Sequence, residues 1–251
     1  LAFAHKAQKK YQDIVVIGIG GSILGAKTLF ETLKHPYWNL IEKPRMFFVD
    51  NLDASQILDL GDVINKEKTL FVIVSKSGET LEIMEIVKFL IPALKKKFGG
   101  KWNNHVVAVT EKNIGKLYKL AAKENLKMFL VPKEISGRFS VFTNAGLLPA
   151  ALCGIDIKKL LEGTKKVKLS EIQAKLAYAQ YKANKNISVI FPYSSSFSAF
   201  CEWYKQLLAE SLGKKGKGIT PVAAIGPKDQ HSLLQLFLDG PRDKFILFIE
   251  T

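Results

Sequence analysis

The sequence predicts an α/β protein with a doubly wound, mostly parallel sheet, followed by an incomplete second unit of the same type. Short β-branched apolar runs recur between longer stretches whose apolar residues fall at helical spacing. Alternation of strand and helix reads as βαβ units, and runs apolar throughout suit strands covered on both faces. Polar loops carrying glycine or serine follow the first and third runs and lead into helices.

The first strand is read over DIVVIGIG (13–20), ending in a glycine cluster that turns the chain into a helix over 23–33. RMFFVD (45–50) is the second strand, with a helix over 54–63. TLFVIVS (69–75) is the third, and its helix runs over 80–98. NHVVAVT (104–110) and KMFLVP (127–132) complete the set around a helix at 114–124, and the helix-compatible run NAGLLPAALCGI (144–155) closes a first domain at 1–155. The second, 156–251, opens with a lysine-rich helical connection over 156–186. Strand NISVIFPYS (186–194), an amphipathic helix over 197–213, a Gly/Lys turn, a short helix over 231–240 and strand DKFILFIE (243–250) follow. Two strands do not make an independent sheet. The chain also stops at Thr251 directly after an apolar strand, so the sequence is expected to be a fragment.

Of the 251 residues, 47% are hydrophobic and 24% charged, which excludes a disordered or collagen-like chain. No apolar run approaches the roughly 20 residues of a membrane span, and the N-terminus lacks the order of regions that marks a signal peptide. A soluble cytoplasmic protein with no membrane partner is expected. Cys153 and Cys201 have no partner at CxxC or metal-ligand spacing, so neither a disulfide scaffold nor a zinc site is predicted. The formal charge of +14 attracts anions. Its lysine runs at 95–97, 165–166 and 214–215 carry no aromatic interleaving and no nucleic-acid motif, so nucleic acid is not an expected partner.

The cluster IGIGGSILGAKT (17–28) follows a strand and opens a helix, where backbone N–H groups and the helix dipole favour an anion. It lacks the third glycine of a dinucleotide motif and the lysine placement of a P-loop, so neither NAD nor ATP is indicated. Asp50, at the end of the second strand, reads as ordinary loop chemistry rather than a ribose ligand. The loop SKSGET (75–80) offers three hydroxyls, a glycine for close backbone approach and a following helix N-terminus, a phosphate cradle in this position. An ordinary cap by Ser77 or Thr80 is the alternative, compatible with a cradle. Arg138 is a lone arginine in an apolar stretch, where a permanent cation calls for an anion, whether a ligand or a salt-bridge partner. Glu210 reads as a helix-end acid before Gly213, and His231 as the first residue of a helix with a ring able to carry protons near neutral pH.

Six segments, IGIGGSILG (17–25), VDNLDASQ (49–56), SKSGETLE (75–82), SGRFSVFTNAGLLP (136–149), EWYKQLLAESLGKKGKGITP (202–221) and DQHSLLQLFLDGPRDKF (229–245), together resemble the glucose-6-phosphate isomerases. That family is built from two sugar-isomerase (SIS) domains, and the segments run in its order over nearly the whole chain. The resemblance implies that Gly21, Ser22, Ser75, Lys76, Ser77 and Thr80 hold a sugar phosphate and that Gln206 touches the substrate. It implies that Arg138 stabilises the charged intermediate, that Glu210 moves a proton between C1 and C2, and that His231 assists ring opening, often across a subunit interface. A homodimer, a sugar-phosphate substrate and no metal or redox cofactor follow from the same resemblance. Two departures stand out: Ser136 takes the place of a glycine, and the family's C-terminal catalytic lysine has no counterpart before Thr251. A non-catalytic SIS sensor needs only the cradle, and has no reason to hold Arg138, Glu210 and His231 together. An isomerase that also takes mannose 6-phosphate would differ in pocket residues that the sequence does not locate.

Overall fold

A computed structural model of the chain describes residues 1–167 and 171–250. They form two compact units, Leu1–Ile157 and Lys158–Thr251.

The first unit contains helix α1 (Ala2–Lys10), strand β1 (Asp13–Ile17), α2 (Leu24–Leu33), the single turn α3 (Trp38–Ile41), β2 (Arg45–Val49) and α4 (Ala54–Val63). It continues through β3 (Thr69–Val74), α5 (Leu81–Phe98), β4 (Val106–Glu111), α6 (Gly115–Lys123), β5 (Lys127–Val131) and α7 (Asn144–Leu152). The five strands are parallel, in the order β2-β1-β3-β4-β5. Alternate residues of each strand enter opposite layers, as the two-residue period of a strand requires. Ile14, Val16, Val72 and Val109 pack with Ala4, Leu148 and Leu152 of α1 and α7. Val15, Ile17, Ile73 and Ala108 pack with Ile83, Val87 and Leu117 of α5 and α6. Both faces are covered, which explains why the strands read as unbroken apolar runs.

The chain leaves β1 toward β2 on one side and returns to β3 on the other, so the sheet reverses its winding between β1 and β3. Ligands of open α/β sheets bind at such a switch point, outside the carboxyl ends of the strands. The sequence reading placed β1 three residues too far: it ends at Ile17, and Gly20, at φ +54°, starts a 3₁₀ turn over Gly20–Ser22. Asp13, fully buried at the start of β1, is held by Arg45 of β2 at 2.6 and 3.0 Å and by the Asn65 amide at 2.6 Å. The arginine answers the charge that the strand start buries.

The second unit holds α8 (Ile157–Thr164), α9 (Glu171–Lys182), β6 (Ile187–Pro192), α10 (Ser198–Leu212), β7 (Thr220–Ala223), α11 (Lys228–Asp239) and β8 (Lys244–Ile249). Residues 168–170, within the expected 156–186 connection, lie outside the described residues, as does Thr251. The expectation of two strands needs correction: the sheet has three, all parallel, in the order β7-β6-β8. The stretch read as a turn contains β7, a four-residue edge strand whose Pro221 is tolerated because an edge leaves N–H positions unpaired. The unit repeats the β2-β1-β3 half of the first sheet, with β6 in the central place of β1. No helix among the described residues is long and apolar enough to cross a membrane.

Candidate functional site

Ile17, the last residue of β1, pairs with Ile73 of β3, so the loops after these neighbouring strands leave the sheet side by side at the switch point. The loop after β3 is the SKSGET segment. Ser75 is fully buried, and its hydroxyl lies 3.1 Å from that of Thr80 and 3.1 Å from the Gly78 amide, which donates to it. The exposed Ser77 accepts from the Glu79 amide at 3.2 Å. Gly78 sits at φ +64°, a conformation that L side chains rarely adopt. Thr80 occupies the N-cap position of α5, yet its side chain makes no capping bond there. The simple cap is therefore not what the Thr80 hydroxyl does: it faces Ser75, and the first turn of an 18-residue helix begins without a side-chain acceptor. Such an N-terminus attracts anions. The Lys76 ammonium donates to the Lys133 carbonyl at 2.7 Å and lies 3.6 Å from a Glu111 carboxylate oxygen.

Gly21 and Ser22, both half-buried, lie in the 3₁₀ turn after β1. The turn packs against a second 3₁₀ segment, Gly137–Phe142, which carries Arg138. A Cβ on Gly21 would stand 2.5 Å from the Arg138 amide nitrogen, and one on Gly25 would stand 2.8 Å from Cβ of Val141. The glycine cluster thus serves close packing as well as the turn, a role its resemblance to nucleotide motifs did not suggest. Ser140 donates a 3.0 Å hydrogen bond to the Gly21 carbonyl. Arg138 is half-buried, with its guanidinium 4.8 Å from the ring centroid of the half-exposed Phe139. Asp50 pairs with Lys27 of α2 at 2.7 Å, in keeping with a structural role.

In the second unit, Gln206 and Glu210 lie one turn apart on α10, and the Gln206 amide donates to Glu210 Oε1 at 2.7 Å. The Gln206 Oε1 atom is buried without a hydrogen-bond partner. Glu210 is exposed. His231 is exposed too, but it is not the first residue of its helix: α11 begins at Lys228, so the imidazole stands one turn in. Asp229 turns back and accepts from the Ile225 amide at 2.7 Å, fixing the loop before α11. The thiols of Cys153 and Cys201 are both pushed up to about 11, in each case chiefly by burial, which keeps them protonated and poor nucleophiles near neutral pH.

Residues 2–242 match the family described as phosphoglucose isomerase. A glucose-6-phosphate isomerase of Methanocaldococcus jannaschii is 40% identical over 259 residues, which cover 98% of this chain and 61% of that protein. Among solved structures, a protein of Thermus thermophilus described as hypothetical superposes with a TM-score of 0.88 at 36% identity, covering 98% of this chain and 61% of its own. A glucose-6-phosphate isomerase of Chlamydia trachomatis superposes with a TM-score of 0.80 at 25% identity, covering 98% and 51%. The chain thus spans about three fifths of the length of the curated relatives it matches.

Proposed function

The chain belongs to the phosphoglucose isomerase family, and on that premise we propose that it takes part in interconverting glucose 6-phosphate and fructose 6-phosphate by proton transfer through an enediol. The observation that carries the reading is the meeting, at one switch point, of a hydroxyl-bearing anion loop with a glycine turn packed on the loop of a permanent cation.

In this reading Gly21 and Ser22, with Ser75, Lys76, Ser77 and Thr80, hold the phosphate through hydroxyls, backbone N–H groups and the N-terminus of α5. Moving the carbonyl from C1 to C2 removes a proton from one carbon and delivers one to its neighbour, so a single carboxylate serves as base and then as acid. Glu210 takes that role. The Gln206 amide fixes one of its oxygens, and in this reading Gln206 also touches the sugar. Negative charge that grows on the enediol oxygens meets Arg138, which cannot lose its proton and so cannot short-circuit the transfer. His231, exposed on α11, moves the proton that opens the sugar ring. The chemistry calls for no redox step. We assign residues 1–155 to a first SIS domain and 156–251 to a helical connection with the N-terminal part of a second, and propose a cytoplasmic homodimer.

The test is incubation of the full-length protein with glucose 6-phosphate deuterated at C2 in ordinary water. Formation of fructose 6-phosphate with the label moved to C1 or lost to water supports the reading. Binding of the sugar phosphate with neither isomerisation nor exchange contradicts it and indicates a sensor.

A further inference from the structure

We infer that the segment joining β4 to α6, through Glu111 and Gly115, positions the SKSGET loop for anion binding; the inference rests on the sugar-phosphate reading of that loop. The loop is short, polar and centred on a glycine, a composition that does not fix one conformation by itself. Its own hydroxyls make two of its bonds, Ser75 with the Gly78 amide and Ser77 with the Glu79 amide. Its outward carbonyls are claimed from one side: the Glu111 amide donates to the Lys76 carbonyl at 3.1 Å, and the Leu117 amide donates to the Gly78 carbonyl at 3.1 Å. In a planar trans peptide the C=O and the following N–H point in opposite directions. Anchoring the Lys76 carbonyl on Glu111 therefore turns the Ser77 N–H away from β4, where it can serve a ligand.

Gly115 makes that approach possible. It stands at φ +77°, and a Cβ there would strike the Ser77 carbonyl oxygen and lie 2.7 Å from the Gly78 α-carbon. A glycine opening α6 has little to offer the helix. Its value is that the first turn of α6 can lie directly on the loop. Glu111, 8% exposed, adds a charge: its carboxylate faces the Lys76 ammonium, which also holds the Lys133 carbonyl. The Lys76 side chain thus ties the loops after β3 and β5 to the end of β4, and Lys76 serves the anion through its backbone. Glu111 and Gly115 are positioning residues, without contact to the sugar.

The intact protein is titrated with glucose 6-phosphate and, separately, with inorganic phosphate, while the amide resonances of Ser77 and Thr80 and the Tm are followed. Gly115→Ala, Glu111→Gln and Glu111→Asp are compared with Thr80→Ala, which tests the site itself. Gly115→Ala should weaken both ligands by about tenfold or more, as expected when a charge-assisted hydrogen bond to the anion is lost. Glu111→Gln should weaken them less, and Glu111→Asp should restore part of the loss. A purely structural role would lower the Tm and leave the affinity of the folded protein unchanged. Unaltered affinity in the folded Gly115→Ala or Glu111→Gln protein, with Thr80→Ala weakened, overturns the inference and leaves the site standing. Unaltered affinity in Thr80→Ala overturns the site and the inference with it. Should Gly115→Ala not fold, Glu111→Gln decides the matter: faster hydrogen exchange at the Gly78 amide together with weaker phosphate binding supports positioning, and neither change overturns it.

Discussion

Gly21 lies so close to Arg138 that a Cβ on the glycine would stand 2.5 Å from the arginine's amide nitrogen. The turn after β1 and the arginine loop therefore touch backbone to backbone, and the Ser140 hydroxyl closes the contact by donating to the Gly21 carbonyl at 3.0 Å. One contact sets both the proposed phosphate turn and the proposed cation. Gly21→Ala has to push the arginine loop away, at a cost of about 1–3 kcal/mol typical of overpacking. The expected outcome is a lower urea midpoint together with a fall in kcat. Unchanged kcat in a destabilised protein would separate the contact from catalysis.

Thr80 separates a cap from a cradle. Its hydroxyl sits 3.1 Å from Ser75 and makes no capping bond to α5. Thr80→Ala should therefore leave the urea midpoint close to that of the parent. A charge-assisted hydrogen bond contributes about 1.5–3 kcal/mol, so the KM for glucose 6-phosphate should rise about tenfold or more. Loss of about 0.5–2 kcal/mol of stability at constant KM is what a cap would give.

The pH response of the folded state is carried in part by Cys153. Burial, the largest cause, raises its thiol from 9.0 to about 11. Folding thus favours the protonated thiol. This contribution is fully present below pH 9.0 and is lost as the pH rises through about 11. Urea midpoints measured between these values should fall, and replacing Cys153 by alanine should flatten the decline. At pH 8 the native thiols should resist a disulfide reagent until the chain unfolds. Prompt labelling of the native protein would show that the thiol is not shielded.

Much of this fold was legible because buried parallel strands leave long unbroken apolar runs, as in β1, β3 and β4. The loops after β1 and β3 were legible for a related reason: glycine and hydroxyl residues stand out at the ends of such strands, and here the glycines also serve close packing. What escaped were short or weakly patterned elements. β7 is four residues long and contains Pro221, and α1 buries only Ala4 and Ala7, which give little periodic signal. The start of α11 was misplaced because Lys228 and Asp229 read as loop, whereas Asp229 holds the Ile225 amide from inside the helix. Gly115 and Glu111 carried no sequence signal, since their part depends on a loop more than thirty residues away in the chain. Arg138 stands out in the sequence as a lone cation among apolar residues, and the structure leaves it half-buried beside Phe139.

The assignment of Glu210 as the base is the central claim, and exchange of the C2 proton of glucose 6-phosphate with solvent in the Glu210→Gln variant of the full-length protein tests it most directly. The glutamine keeps the shape and the hydrogen-bonding reach toward Gln206 but cannot take a proton. A positioned base contributes roughly 10²- to 10⁴-fold in rate, so exchange and turnover should fall by that factor while the KM stays near the parent value, because the proposed phosphate site lies in the loop after β3. Exchange at the parent rate in Glu210→Gln would contradict the account and move the base to another carboxylate.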